Sequence, residues 1–81
     1  MAGYHKREIK KGQYGQASKI IEEYEEFRDS LEQNNPLMAL MELSDMLGAI
    51  EAYIKQYNLS LDDLMAMTRI TQSVFKEGHR K

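Results

Sequence analysis

Two short acidic motifs contain the residues whose types and spacing could support chemistry. The stretches EEYEE and ELSD place Glu23 three positions before Glu26 and Glu42 three positions before Asp45. On a helix such pairs are surface neighbours, and like charges there repel by a few tenths of a kcal/mol unless a cation neutralises them. Four carboxylates without histidine or thiolate form an oxygen-rich site of the kind that magnesium and manganese prefer over zinc. These four residues therefore predict a magnesium site, with manganese as the second choice, that could clamp the phosphates of a nucleotide.

Apolar periodicity predicts the pair of helices that would position these acids. Four apolar residues recur at steps of three and four, which is typical of an amphipathic helix over residues 14–33: Ile20, Tyr24, Phe27 and Leu31. The sequence NNP at residues 34–36 breaks this helix, and proline suits the first turn of the next one, which we expect over residues 36–57. Such a short connection favours an antiparallel hairpin, in which the two acidic motifs can converge.

A third helix is expected to follow this hairpin. Ser60 and Asp63 have the spacing of an N-cap with a capping-box variant, and Gly78 is the expected stop. No β-alternation appears in the sequence, so the predicted class is all-α, a helical hairpin plus a third helix packed alongside. We predict that residues 14–81 form a single domain and that residues 1–13 are a flexible basic arm.

The second helix is predicted to turn its acids inward. It is apolar around most of its circumference, which predicts a narrow solvent-facing side. Glu42 and Asp45 project into the same arc as Met38, Ala49 and Ala52. Burying an ionised carboxylate costs several kcal/mol without a counter-charge, which must come from another helix, another subunit or a bound cation. On the first helix Glu23 and Glu26 flank the apolar stripe, whereas Glu22 projects away from it. A plainer alternative stays open, in which the glutamates face solvent or pair with lysines.

Length, composition and charge limit the classes of protein that the chain can represent. A chain of 81 residues can bury one small core, so association of copies into a homo-dimer or homo-tetramer is expected. The sequence contains no cysteine, which fits a reducing cytoplasm, of the cell or of an infected host. The 13 acidic and 11 basic residues give a net charge of −2, so we expect no general attraction to nucleic acid. No uninterrupted apolar run is long enough to predict a membrane span.

The two acidic motifs also carry a family resemblance. Glu22-Glu23-Tyr24-Glu25-Glu26 matches EExxE, and Glu42-Leu43-Ser44-Asp45 matches ExxD, the paired signature of the MazG-type all-α nucleotide pyrophosphohydrolases. Lys19 is similar to a lysine that is frequent in the family. The resemblance extends over residues 13–80, and the compact form is similar to short phage-encoded members. It implies an oligomeric helical bundle that needs magnesium and cleaves nucleoside triphosphates, ribo- or deoxyribo-, to monophosphates and pyrophosphate.

The resemblance also implies roles for individual residues. By position, the metal ligands are Glu23, Glu26, Glu42 and Asp45. Glu22 completes the catalytic set as a residue that supports the ligands or positions water.

Further residues are candidates for contact with the substrate. Lys19 could contact phosphates together with Arg69 and Lys76 of the third helix and, if that helix continues past Gly78, Arg80, because metal ions alone do not neutralise a triphosphate. Tyr14 could stack on the base. The alternative function is a non-catalytic helical interaction module or a degenerate nucleotide-binding relative, which the short length and the basic arm keep open.

Overall fold

Three α-helices follow one another along residues 8–76, the part of the chain that the computed structural model describes, with side chains through residue 74. The helices are α1, Ala17–Glu32; α2, Pro36–Ile54, which continues into a 3₁₀ turn, Lys55–Tyr57; and α3, Leu61–Lys76. No strand occurs within residues 8–76, so the all-α class is confirmed. The first helix begins at Ala17 rather than Tyr14, because the chain turns at Gly15 with a φ of +89° that favours glycine.

The predicted break between the first two helices is confirmed in detail. Asn34 adopts a left-handed conformation with a φ of 55°, and its N–H donates to the carbonyl of Leu31. The side chain of Asn35 then caps α2 by accepting a hydrogen bond from the N–H of Met38 at 3.0 Å, with Pro36 in the first turn. These local bonds reverse the chain within a few residues, and α1 and α2 pack against each other as a hairpin.

The start of the third helix also follows the predicted signals. Asn58 ends the 3₁₀ turn in a left-handed conformation with a φ of 60°. Ser60 donates its N–H to Asp63 Oδ2 at 2.8 Å, and the N–H of Asp63 donates back to the Ser60 hydroxyl at 3.3 Å, which is a reciprocal cap. Hydrogen bonds from the Ser60 N–H and hydroxyl hold the pKa of Asp63 below its usual value.

The hairpin buries a face of α1 that the apolar stripe does not predict. Tyr24 and Leu31 of the stripe are 48% and 52% exposed, while Ile20 and Phe27 are only partly covered. The most buried side chains of α1 are polar, and they are Glu22, Glu23, Asp29 and Ser30. An amphipathic helix normally buries its apolar stripe, but within a single chain α2 packs on the neighbouring, acidic face of α1.

The outer surface of α2 is also more exposed than predicted. Met38, Ala39, Ala49 and Ile54 are buried, but Leu37, Leu40 and Leu47 are each more than half exposed. The prediction of a narrow solvent-facing side is thus wrong within one chain. One partner helix covers one side of α2, and the apolar residues of its other side remain accessible.

The third helix does not pack along the hairpin. Among the described residues α3 has no extended contact with α1 or α2, and Met65, Met67 and Ile70 are more than half exposed. The expected third helix is confirmed, but the expectation that it packs alongside the hairpin is wrong within the described residues of one chain. Within residues 8–76, no helix has both the length and the apolar character that crossing a bilayer would need.

Candidate metal centre

The two acidic motifs meet where α1 packs against α2. Carboxylate oxygens of Glu22, Glu23 and Glu26 lie within 4.8 Å of one another, and the same holds for Glu23, Glu42 and Asp45. Glu23 belongs to both groups and therefore joins the two motifs. We call these five residues the acidic seam. The convergence expected from an antiparallel hairpin is present in the structure.

Burial makes the charge of this seam costly. Glu23 and Glu42 are each only 5% exposed, and the buried Oε1 atom of Glu23 has no hydrogen-bond partner within the described residues. A buried carboxylate oxygen without a donor costs about 1–3 kcal/mol or more. A small cation coordinated by oxygen would satisfy this atom, so the donor set fits magnesium or manganese.

One carboxyl group of the seam, that of Glu26, keeps its proton at neutral pH. Burial, the negative charge of Glu23 and a hydrogen bond with Glu42 raise the pKa of Glu26 from 4.5 to about 8. At neutral pH the Glu26 carboxyl is therefore mainly protonated and can donate to the Glu42 carboxylate. A divalent cation at this position would replace that proton.

Glu22 lies in the seam and is bound by cations and donors from its own chain. The Nζ atom of Lys19 lies 3.1 Å from Glu22 Oε1 and 3.0 Å from Glu23 Oε2. Burial alone raises the pKa of Glu22, but the N–H of Gly12 and the ammonium of Lys19 outweigh it, and the pKa falls below its usual value. Glu22 does project away from the apolar stripe as predicted, yet it is buried because its own face of α1 meets α2.

A short segment before α1 closes over this part of the seam. Gly12 donates its N–H to Glu22 Oε1 at 2.9 Å, and Gln13 donates its N–H to the hydroxyl of Ser18 at 3.0 Å. A Cβ added at Gly12 would overlap the carbonyl of Ser18, so only glycine allows this approach. We call residues 11–13 the strap. They belong to the predicted arm of residues 1–13, whose first seven residues lie outside the described part.

Asp45 departs from the inward orientation that the sequence predicts. Its residue is exposed, although one carboxylate oxygen still lies within 4.8 Å of oxygens from Glu23 and Glu42. Asp45 is therefore at the solvent-facing edge of the seam, on the side from which an ion or phosphate could enter. The physical reason is that α2 turns Glu42, and not Asp45, squarely toward α1.

Asp29 is a buried acid that belongs to neither of the two predicted acidic motifs. This residue is buried on the same face of α1, and Asp29 Oδ2 accepts a hydrogen bond from Gln33 Nε2 at 2.7 Å. Glu22, Glu26, Asp29 and Gln33 are spaced by four, three and four, which is a polar stripe with helical period. This polar stripe, which lies beside the apolar one, is the sequence signal that identifies Asp29.

Among the residues whose side chains the structure describes, one of the predicted phosphate-binding or base-binding residues lies at the seam. Lys19 lies at its centre, while Tyr14 is 72% exposed in the turn before α1. Arg69 is exposed on α3, which does not pack against the hairpin. The side chains of Lys76 and Arg80 lie outside the described residues.

Comparison of the chain with protein-family models, curated proteins and solved structures found no match.

Proposed function

We propose that the chain is a magnesium-dependent nucleotide pyrophosphohydrolase of the MazG type. The observation that supports this most is the buried acidic seam, in which EExxE and ExxD of neighbouring helices share Glu23. A protein core normally excludes carboxylates unless a charge or ligand compensates them. A buried cluster that is still short of donors at Glu23 Oε1 is therefore better explained by a cation site than by packing.

The proposed roles follow from the position of each side chain. Glu23, Glu26, Glu42 and Asp45 would hold magnesium, and manganese could replace it. When bound, the ion would neutralise phosphate charge and favour attack at phosphorus. The overall reaction adds water across the bond between the α and β phosphates of a nucleoside triphosphate and yields a monophosphate and pyrophosphate. Because Asp45 is at the exposed edge, the phosphates would approach from that side.

The active form is proposed to be a homo-dimer or homo-tetramer. Each chain leaves apolar residues exposed on the outer side of α2 and along α3, and these are Leu37, Leu40, Leu47, Met67 and Ile70. A 16-residue helix such as α3 is marginal without tertiary packing. A second copy of the chain supplies surfaces of matching chemistry. Such an assembly could also bring Arg69, and with it Lys76 and Arg80, to the seam of another copy.

The test is magnesium-dependent release of pyrophosphate from a panel of ribo- and deoxyribonucleoside triphosphates. We expect Glu42→Gln and Asp45→Asn to abolish release, because each removes a proposed ligand while keeping the side-chain shape. Glu51→Gln is the matched control, since Glu51 is exposed on the same helix. Activity that survives in both seam variants would refute the assignment.

A second candidate function is a non-catalytic helical module that binds a nucleotide or another protein. The exposed apolar residues of α2 and α3 favour it, because such surfaces often mark interaction sites. Calorimetric titration distinguishes the two functions. If neither magnesium nor any nucleotide binds while a protein partner does, the enzyme assignment fails.

A further inference from the structure

A continuous series of short contacts links the strap to the centre of the acidic seam. The N–H of Gly12 and the ammonium of Lys19 both donate to Glu22 Oε1, at 2.9 and 3.1 Å. The same ammonium lies 3.0 Å from Glu23 Oε2, and Lys11 Nζ lies 3.9 Å from Glu22 Oε2. Glu22 is thus surrounded by donors of its own chain, and Lys19 spans Glu22 and Glu23.

Lys19 forms ion pairs with two buried acids, Glu22 and Glu23. Its side chain is 27% exposed, so the ammonium is partly withdrawn from water and its attraction to the carboxylates is only partly screened. It occupies one oxygen of Glu23 and leaves the other, Oε1, without a donor. The chain therefore compensates Glu22 and one oxygen of Glu23 itself and leaves Glu23 Oε1 to an external ion.

We propose that Lys19, held by the strap through Glu22, is an internal counter-cation that balances the acidic seam in the ion-free chain and opposes entry of a divalent ion. The inference rests on the proposed divalent-ion site. It assigns Glu22 to positioning Lys19 and not to direct ligation. It also makes residues 11–13 part of the site, although the sequence alone describes them as an arm.

The charge of Lys19 should couple binding of the divalent ion to binding of a nucleotide. A divalent ion at Glu23 Oε1 and the ammonium at Glu23 Oε2 repel each other, so the ion alone binds against the charge of Lys19. Phosphate groups offer Lys19 another anion and relieve this repulsion. The ion and a nucleotide should therefore bind more tightly together than separately, because each removes a cost of binding the other.

The experiment compares Lys19→Met with Lys19→Arg, which keeps the charge, and with Lys55→Met, which removes an exposed charge directly after the C-terminal residue of α2. Urea unfolding is measured without divalent ions, and binding of manganese alone is measured by titration calorimetry. We expect Lys19→Met to lower the equilibrium constant for folding about tenfold. This loss lies between that for breaking a solvent-exposed salt bridge and that for breaking a buried one. We expect the same variant to bind manganese about tenfold more tightly, since a repelling charge is gone. Lys19→Arg and Lys55→Met should stay close to the parent chain in both measurements.

Each result decides a different part of the reasoning. If Lys19→Met unfolds like Lys55→Met in ion-free urea, Lys19 does not balance the seam and the proposal is overturned. If it is destabilised but binds manganese no more tightly than the parent chain, Lys19 has only a structural role and opposition to the ion is excluded. If the parent chain binds no manganese at all, the proposed metal-dependent function fails, and the urea series alone decides whether Lys19 is the counter-cation.

Discussion

Raising the pH of the ion-free chain should destabilise it through one residue, Glu26. Burial, the charge of Glu23 and the hydrogen bond with Glu42 bring the pKa of Glu26 to about 8 in the folded chain, against an ordinary value of 4.5. Between these two values the folded chain retains a proton that the unfolded chain has lost. Stability contributed by this proton is therefore complete below about pH 4.5 and is lost as the pH rises toward about 8.

The size of the effect follows from the same shift. A difference of one bound proton changes the free energy of unfolding by at most about 1.4 kcal/mol per pH unit. Solvent reaches the half-buried Glu26 and screens the charges of Glu23 and Glu42, so the full shift does not convert into stability. We expect a total loss of about 2 kcal/mol between about pH 5 and about pH 8.5.

Urea unfolding followed by circular dichroism, with a chelator present and at closely spaced pH values, measures this loss. Glu26→Gln resembles the protonated carboxyl, because its amide can still donate to Glu42. We expect this variant to be about as stable as the parent at low pH and more stable above about pH 8. Glu51→Gln, on the exposed side of α2, should retain the parental dependence. A parental slope that persists in Glu26→Gln would show that another group holds the proton and would refute the reasoning.

Three further predictions test the seam, the strap and the caps. Manganese binding at neutral pH should release about one proton from the parent chain and fewer from Glu26→Gln, because a carboxyl ligand must lose its proton to bind the ion. Calorimetry in buffers of different ionisation enthalpy measures the number of protons released, and equal release from both chains would contradict the prediction. Gly12→Ala should lower the free energy of unfolding by about 1 kcal/mol in the same urea assay, because the added Cβ meets the Ser18 carbonyl and breaks the strap's hydrogen bond to Glu22. Gly48→Ala adds a Cβ with nothing within 4 Å and should raise the free energy of unfolding by about 0.5–1 kcal/mol. A change of the same sign in both variants would argue against the strap. Asn35→Ala should destabilise the chain by about 1 kcal/mol, because the cap of α2 needs a side-chain acceptor for the N–H of Met38. Asn35→Ser keeps an acceptor and should not destabilise it. Thermal unfolding measures both variants, and equal melting temperatures would exclude the cap.

Local signals in the sequence predicted most of the helical framework. Asn35 and Pro36 start α2, and Ser60 with Asp63 starts α3, because caps depend on residues within a few positions of each other. The pairing of the acidic motifs also followed from local facts, namely a spacing of three and a short connection between helices. These features require no knowledge of which surface is buried.

The tertiary structure decided which face of each helix meets the other. Periodicity identified an apolar stripe on α1, but α2 packs on the adjacent acidic face, which leaves Tyr24 and Leu31 exposed and buries Glu22 and Asp29. The strap depends on the close approach of Gly12 to the first turn of α1, ten positions before the residue that it binds. Local sequence signals placed the starts of α2 and α3 and identified which acids are neighbours on one helix, because capping and helical spacing involve residues only a few positions apart. The pairing of Lys19 with Glu22 and Glu23 is also local, at spacings of three and four on α1. The burial of the acids and the raised pKa of Glu26 arise only when separate segments exclude water together, so they depend on the assembled hairpin.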